Sequence, residues 1–377
     1  MSVPGAGIVV TRFAPSPTGL LHLGHAYAAI QAHDHARAAH GRFLLRIEDI
    51  DGTRSREPFV AGILDDLAWL GLSWDGPVVR QSQRLAPYDA ALARLRAAGL
   101  LYPCFCTRAD IAREIAESAS APHHGPDGPV YPGLCRHLDP AVAAARIAAG
   151  EPHAWRLRME PALARTGPLH WHDSDAGDRT ADPAAFGDVV LARKDAPASY
   201  HLAVTVDDAA QGVTDVVRGV DLYPATDVHR LLQALLDLPT PLYRHHPLLT
   251  GPDGTRLAKR NGAPSLADLR QAGEDGRALA ERLRAGRLPI GFAARDAYVG
   301  RMNTFLVILL IAAMLATVVA LVRGVIAFLQ DSHAQVRNGE GPSAASLKSN
   351  KMMQMRVFFQ ALAILIIVVI LFVGGRT

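Results

Sequence analysis

The predicted fold is decided by residues 12–25, Arg-Phe-Ala-Pro-Ser-Pro-Thr-Gly-Leu-Leu-His-Leu-Gly-His. The apolar run at residues 7–10 before this stretch predicts a buried strand. Pro15 and Pro17 end that strand, because proline has no N–H to offer to a sheet. From Leu20 onward the apolar residues recur at spacings of three and four, which indicates a helix. The stretch therefore predicts a strand, a tight loop and a helix.

Two histidines, His22 and His25, lie in the first turns of the predicted helix. The N–H groups and the positive dipole end of a helix favour a bound anion at this place. The residues alone also allow a simpler interpretation, in which both histidines are solvated side chains of a surface helix.

A second buried strand is predicted at residues 43–47, and the acidic run Glu48-Asp49-Ile50-Asp51 follows it. Open parallel sheets bind their ligands beyond the carboxyl ends of the strands. Carboxylates in this position are therefore expected to meet a cation, although a solvated acidic turn is the alternative.

Residues 12–19, the quartet at 22–25 and residues 45–51 together resemble the signature of the glutamyl-type class I aminoacyl-tRNA synthetases. The resemblance implies an α/β fold: a Rossmann-type parallel sheet with an inserted, zinc-containing subdomain similar to an acceptor-binding one. It implies an ATP site made of Arg12, Phe13, Ala14, Pro15, Ser16, His22, Gly24, His25 and Lys259. It implies a glutamate site made of Arg12, Ser16, Glu48, Tyr200 and Arg218. His22, His25 and Lys259 are the predicted catalytic residues.

Further elements are predicted from periodicity and turn residues. Helices are expected at residues 58–72, 87–98, 140–149 and 226–237, and a short strand at 154–158. β-branched runs at 188–193, 199–208 and 213–219 predict strands that return to the main sheet, and they carry Tyr200 and Arg218.

A basic loop at residues 254–262 resembles the second class I signature, Lys-Met-Ser-Lys-Ser. Arg256, Leu257 and Ala258 replace its first three residues, whereas Lys259 is kept. A basic loop flanked by glycines can neutralise charge as pyrophosphate leaves.

Only residues 263–302 separate this loop from the first membrane-length run, too few for an independent anticodon-binding domain. With this truncation the chain resembles, over residues 8–290, the glutamyl-Q tRNA(Asp) synthetase family. The resemblance implies activation of L-glutamate with ATP and Mg²⁺, and transfer of glutamate to queuosine in the anticodon loop of tRNA(Asp). Two alternatives remain: a truncated glutamyl-tRNA synthetase, and a membrane-anchored respiratory assembly factor whose synthetase-like portion is inactive.

The three cysteines, Cys104, Cys106 and Cys135, are too few for a disulfide scaffold and favour a reducing compartment. From the residues alone, His123, His124 or His137 could complete a zinc site, and three free thiols are the simpler interpretation. The resemblance instead implies Tyr131 as the fourth ligand of one structural Zn²⁺.

Apolar runs at residues 305–322 and 357–373 are long enough for two transmembrane helices. This tail resembles the twin-transmembrane relatives of the hypoxia-induced protein conserved region, which implies a respiratory complex as partner. The predicted domains are 1–102 and 188–295 for the two halves of the catalytic domain, 103–187 for the zinc-binding insertion and 302–377 for the tail.

The predicted location is the cytoplasm for the enzyme portion, and the inner membrane for the full chain if both parts are translated together. Basic residues cluster between the two spans, so the positive-inside rule favours placing both ends of the tail outside the cytoplasm. A cytoplasmic enzyme needs the opposite orientation, which suggests that the tail arose as a separate protein starting at Met302.

Overall fold

The computed structural model describes residues 7–117, 124–126, 128–250, 264–286 and 293–294. The chain divides into two compact units, residues 1–293 and 294–377. Of the second unit only Ala294 is described, so both predicted membrane spans lie outside the described residues. Within the described part of the chain, no helix is long and apolar enough to cross a bilayer.

Helices and strands alternate through most of the first unit. The helices are α1 (Leu23–Ala38), α2 (Glu57–Trp69), α3 (Leu85–Ala97), α4 (Arg108–Glu117), α5 (Pro140–Ala148), α6 (Met159–Thr166), α7 (Tyr200–Ala210), α8 (Ala225–Leu235), α9 (Leu266–Gln271) and α10 (Gly276–Arg284). The strands are β1 (Val10–Phe13), β2 (Arg42–Ile47), β3 (Val79–Arg80), β4 (Leu101–Cys104), β5 (His124–Gly125), β6 (Gly128–Pro129), β7 (Ala154–Leu157), β8 (His170–Asp173), β9 (Gly177–Thr180), β10 (Val190–Ala192), β11 (Asp215–Gly219), β12 (Leu242–His246), β13 (Leu249–Thr250) and β14 (Ala293–Ala294).

Two parallel sheet segments form the centre of the unit. Strands β1, β2 and β3 pair in parallel in that order, and β11 pairs in parallel with β12, which in turn pairs with β8. Two hydrogen bonds join the segments: the Val10 amide donates to the Thr214 hydroxyl at 2.8 Å, and the Thr214 amide donates to the Val10 carbonyl at 3.0 Å. Strands β1 and β11 are therefore neighbours, although about 200 residues separate them in sequence.

Helix α1 packs against both segments and buries its small and aliphatic residues, Leu23, Ala26, Ala29 and Ile30. Small residues along this face let the helix lie close over the joint between β1 and β11. The strand–loop–helix prediction for residues 7–30 is confirmed, as are the helices predicted near 58–72, 87–98, 140–149 and 226–237.

The strand predicted at residues 199–208 is wrong, because this segment is helix α7. Ser199 caps the helix by accepting a hydrogen bond from the Leu202 amide. The helix is buried on several sides, and even the carboxylate of Asp207 faces inward, as Leu202 and Val204 do. The sequence therefore lacks the alternation of polar and apolar faces that marks a surface helix. A short run of this kind is compatible with a strand or a helix, and its β-branched residues favoured the wrong choice.

Strand β10 does not return to the main sheet as predicted. It pairs antiparallel with β7, which also pairs antiparallel with β4, so these strands form a separate sheet. The prediction of strands at residues 213–219 and 154–158 is confirmed.

Candidate active site

A cavity of about 560 Å³ opens where the carboxyl ends of β1, β2 and β11 meet the start of α1. The predicted site residues that line it are Arg12, Phe13, Ala14, Pro15, Ser16, His22, Gly24, His25, Glu48, Tyr200 and Arg218. The structure therefore gathers in one cavity every predicted ATP and glutamate residue except Lys259. That residue lies outside the described residues.

The two histidines at the start of α1 cap the helix reciprocally. The Gly24 amide donates to Nδ1 of His22 at 3.1 Å, and the His22 amide donates to Nδ1 of His25 at 3.2 Å. With both Nδ1 atoms accepting, the neutral rings carry their protons on Nε2. The ring centroids are 3.8 Å apart, so two N–H donors and the positive end of the helix dipole lie together.

Gly24 allows this arrangement, because a Cβ atom there would lie 3.0 Å from Cε1 of His22. The loop before the helix is tied to the end of β2 by the Glu48 amide, which donates to the Pro15 carbonyl at 3.0 Å. The two-proline loop thus holds the carboxyl ends of β1 and β2 side by side.

Arg12, at the end of β1, is neutralised within the protein. Its guanidinium binds Asp208 of α7 through Nε at 3.0 Å and Nη2 at 3.3 Å. Oδ1 of Asp208 also forms an ion pair with Nη1 of Arg46, at 2.8 Å. Burial opposes the ionised carboxylate, but the charges of Arg12 and Arg46 hold the pKa of Asp208 below its usual value. Neither Arg46 nor Asp208 was predicted from the sequence.

Glu48 lies at the edge of this ion-pair cluster, and its Oε1 is 3.7 Å from Nη2 of Arg46. Burial raises the pKa of Glu48 to about 7, against the lowering effect of Arg46 and Arg12. The negative charges of Asp208 and Asp207 add to the rise, because they repel the ionised form of Glu48. A cationic group bound in the cavity would restore the charge on Glu48.

Arg218, in β11, is buried among neutral acceptors. They are Nε2 of His245 at 3.1 Å, Nδ1 of His229 at 3.2 Å, the Tyr200 hydroxyl at 3.3 Å, the Leu222 carbonyl at 3.0 Å and the Thr226 hydroxyl at 2.6 Å. Among the described residues, no carboxylate forms an ion pair with Arg218. A buried cation without a counter-ion is costly, and a carboxylate in the cavity would offset that cost.

The two histidines around Arg218 are held neutral. Burial, followed by the charge of Arg218, lowers the pKa of His245 to about 4 and that of His229 well below its usual value. His245 also contacts Asp173, whose Oδ2 is 2.7 Å from Nδ1 of the ring. None of these three residues was predicted from the sequence. His245 stands in the His-His-Pro run before the second signature, whereas Asp173 and His229 belong to no motif.

The three cysteines meet around Tyr131. The Tyr131 hydroxyl lies 3.4 Å from Sγ of Cys104 and 3.5 Å from Sγ of Cys106, and the Sγ atoms of Cys106 and Cys135 are 3.4 Å apart. All three sulfur atoms lie within 4.8 Å of one another. His137 is exposed and does not join this cluster. His123 and the side chain of His124 lie outside the described residues.

Comparison with known proteins identifies the family. Residues 8–290 match the family described as tRNA synthetases class I (E and Q), catalytic domain. A glutamyl-Q tRNA(Asp) synthetase of Rhodobacter capsulatus is 53% identical over 279 residues, which are 70% of this chain and 96% of the relative. The chain belongs to the glutamyl-Q tRNA(Asp) synthetase family. Another member, from Nocardia farcinica, is 49% identical over 72% of this chain and 81% of the relative.

Solved structures support the class I synthetase α/β fold. A glutamate-tRNA synthetase from Elizabethkingia anophelis matches with a TM-score of 0.58 and 27% identity, over 68% of this chain. The match covers 53% of that protein, so this chain spans about half its length. Residues 306–370 match a different family, described as hypoxia induced protein conserved region.

Proposed function

We propose that this chain activates L-glutamate with ATP and transfers the glutamyl group to queuosine in the anticodon loop of tRNA(Asp). The observation that carries the proposal is the pairing of two features in one cavity. One is the start of α1 with His22 and His25, which suits phosphate, and the other is the uncompensated charge of Arg218, which suits a carboxylate.

Glutamate fits the cavity by charge. Its side-chain carboxylate would bind Arg218 and the Tyr200 hydroxyl, and its ammonium group would face Glu48. Arg12 and Ser16 line the same cavity as these groups and the start of α1. This placement leaves the α-carboxylate on the side of His22 and His25.

The reaction needs no general base, because the attacking α-carboxylate is already ionised at neutral pH. It attacks the α-phosphate of ATP, forms glutamyl-adenylate and releases pyrophosphate. The residues contribute by positioning and by stabilising phosphate charge: His22 and His25 through Nε2–H, and Lys259 on the departing pyrophosphate. Mg²⁺ accompanies ATP as its counter-ion. In the second step a hydroxyl of queuosine attacks the activated carbonyl, and AMP leaves.

The test is ATP–pyrophosphate exchange by the purified full chain. We expect exchange that depends on glutamate and needs no tRNA, followed by transfer of labelled glutamate to tRNA(Asp) that contains queuosine. The same tRNA without queuosine is the matched control. Charging of tRNA(Glu) would support the truncated glutamyl-tRNA synthetase instead, and a complete lack of exchange would support an inactive synthetase-like portion.

We further propose that Cys104, Cys106, Tyr131 and Cys135 bind one structural Zn²⁺. A tetrahedral centre with Zn–S bonds of about 2.3 Å and a Zn–O bond of about 2.0 Å has ligand–ligand edges of roughly 3.5–3.8 Å. The two edges between the Tyr131 oxygen and sulfur, 3.4 and 3.5 Å, fit this geometry, and the sulfur–sulfur edge between Cys106 and Cys135, 3.4 Å, is shorter than the ideal one. The metal would hold β4 and the segment around residues 131–135 together in the insertion predicted at 103–187.

Metal analysis of the purified chain tests this set. We expect about one zinc per chain, lost in Cys135→Ser and weakened in Tyr131→Phe. His137→Ala is the control, because His137 lies outside the cluster. Full zinc retention in Tyr131→Phe would exclude the phenol oxygen as a ligand.

The match at residues 306–370 favours a second role for the tail, as a membrane segment that associates with a respiratory complex. The enzyme portion would work in the cytoplasm, attached to the inner membrane if both parts are one chain. An immunoblot of native cells with one antibody to each half distinguishes the two cases. One membrane band seen by both antibodies shows a single chain, whereas a soluble large band and a small membrane band show separate products.

A further inference from the structure

A buried chain of polar contacts runs from Asp173 through His245 to Arg218. Asp173 ends β8, His245 lies in β12, and Arg218 lies in β11, so three neighbouring strands of the parallel sheet supply the three side chains. Asp173 is 1% exposed, and His245 and Arg218 are also buried. Only Arg218 lines the cavity, so the other two act on any ligand through it.

The partners fix which nitrogen of His245 carries the proton. Asp173 is ionised: burial opposes this, but the hydrogen bond from His245 helps to lower the carboxyl pKa. A carboxylate can only accept, so Nδ1 of His245, at 2.7 Å, carries the proton. A guanidinium can only donate, so Nε2 of His245 presents its lone pair to Nε of Arg218 at 3.1 Å.

We infer that Asp173 and His245 are positioning residues, which orient the Arg218 guanidinium toward the side-chain carboxylate of glutamate by fixing one imidazole tautomer. The inference rests on the proposed function, because glutamate is the ligand that Arg218 would meet. His245 holds Nε of Arg218, so a ligand would approach Nη1, which lines the cavity side with Tyr200. The present acceptors of Nη1 are the Tyr200 hydroxyl at 3.3 Å and Nδ1 of His229 at 3.2 Å, and a carboxylate would replace the longer of these contacts. Because His245 is neutral, it orients Arg218 without cancelling its charge.

The second oxygen of Asp173 makes the inference sharply testable. Oδ1 accepts the amides of Asp175 at 3.0 Å and Ala176 at 2.8 Å, in the turn between β8 and β9. In Asp173→Asn the amide oxygen keeps these two bonds, so the NH₂ group faces His245. Nδ1 must then accept, the proton moves to Nε2, and two donors oppose each other between His245 and Arg218.

The first measurement is glutamate-dependent exchange by full-chain variants. Asp173→Asn should raise the glutamate KM about 10- to 100-fold, since a hydrogen bond to a charged group is disturbed, while the ATP KM stays within about 2-fold. His245→Gln should cost less, because its amide oxygen can accept from Arg218. Asp175→Asn, the same substitution at an exposed residue of the same turn, should match the wild type.

A glutamate KM of Asp173→Asn equal to that of Asp175→Asn would overturn the inference. An equal rise in both substrate KM values would also overturn it, because general damage to the fold would explain that result. Circular dichroism of each variant shows whether the fold is retained.

The second measurement does not depend on activity. ¹⁵N NMR of histidine-labelled chain, assigned by the signal lost in His245→Gln, should show His245 protonated on Nδ1 in the wild type and on Nε2 in Asp173→Asn. A wild-type His245 protonated on Nε2, or on both nitrogens, refutes the inference even in an active enzyme. An absence of exchange in the wild type refutes the proposed function instead, and the NMR result still decides the tautomer.

Discussion

Arg12 and Arg218 reach the same cavity from neighbouring strands, but their surroundings differ: a carboxylate faces one guanidinium and neutral groups face the other. Arg12 is bound at two atoms by Asp208, whereas Arg218 donates, among the described residues, only to neutral rings, hydroxyls and a carbonyl. A cation neutralised inside the protein contributes to the fold. A cation left without a counter-ion costs stability and is retained where a ligand supplies the missing charge.

The acidic side of the cavity shows the same division. Two arginines stabilise the ionised form of Asp208, so its pKa lies below the usual value although burial opposes this. Glu48 receives too little of the same positive charge, and burial raises its pKa to about 7. The cavity therefore offers one strong cation and one carboxylate that ionises fully only beside an added cation. An amino acid with a carboxylate side chain has a group for each: its side-chain carboxylate suits Arg218, and its ammonium group suits Glu48.

The largest effect is expected from removing the uncompensated charge. Arg218→Met should lower kcat/KM for glutamate in the exchange assay by about 10³-fold, because a buried charge-assisted contact is lost. Arg244→Met is the matched control, since Arg244 precedes His245 in β12 but pairs with Asp175 instead of lining the cavity. A loss below about 5-fold in Arg218→Met would show that Arg218 does not bind glutamate.

The two arginines should also differ in their effect on stability. Arg12→Met leaves Asp208 short of its bidentate partner and should lower the free energy of unfolding by about 3 kcal/mol. Arg218→Met removes a buried charge that has no counter-ion among the described residues, which favours the fold, but it also leaves the acceptors of Arg218 without their donor. The two effects partly cancel, so the free energy of unfolding should fall by only about 1 kcal/mol. Urea unfolding of both variants at pH 7.5 measures the difference. Equal losses would mean that Arg218 is as well compensated as Arg12.

The features that the sequence predicted well are local. The helix start at His22 and His25 follows from two prolines, a glycine and the apolar spacing, all within fourteen residues of the quoted stretch. The helix cap that orients the two rings also uses neighbouring atoms, but the sequence placed the start of the helix at Leu20, three residues before its position in the structure. The cavity residues at the ends of β1 and β2 follow from the same strand–loop–helix unit.

The features that it missed depend on contacts between distant segments. Asp173 and His245 are 72 residues apart and meet only because β8 and β12 pair. Asp208 was assigned to a strand, which hid its role, because α7 is buried on several sides and lacks a helical polar face. The fourth partner of the cysteines followed only from the family resemblance, since the spacing alone also allowed histidines.

The smallest expected effect tests the other side of the comparison, Glu48. A carboxyl group whose folded pKa is raised above its usual 4.5, to about 7, costs stability that is absent below pH 4.5 and complete above pH 7. Glu48→Gln should therefore stabilise the chain, with a gain that is roughly 2 kcal/mol larger at pH 8 than at pH 5.5. Urea unfolding at the two pH values measures it, and Glu57→Gln, at an exposed partner of Arg80, should show no such gain. A Glu48→Gln gain that does not change with pH would mean that Glu48 is ionised throughout. The positive charges of Arg12 and Arg46 would then be sufficient to keep both Asp208 and Glu48 ionised. In that case Arg12 and Arg218 would differ in the geometry of their contacts and not in how far their charges are neutralised.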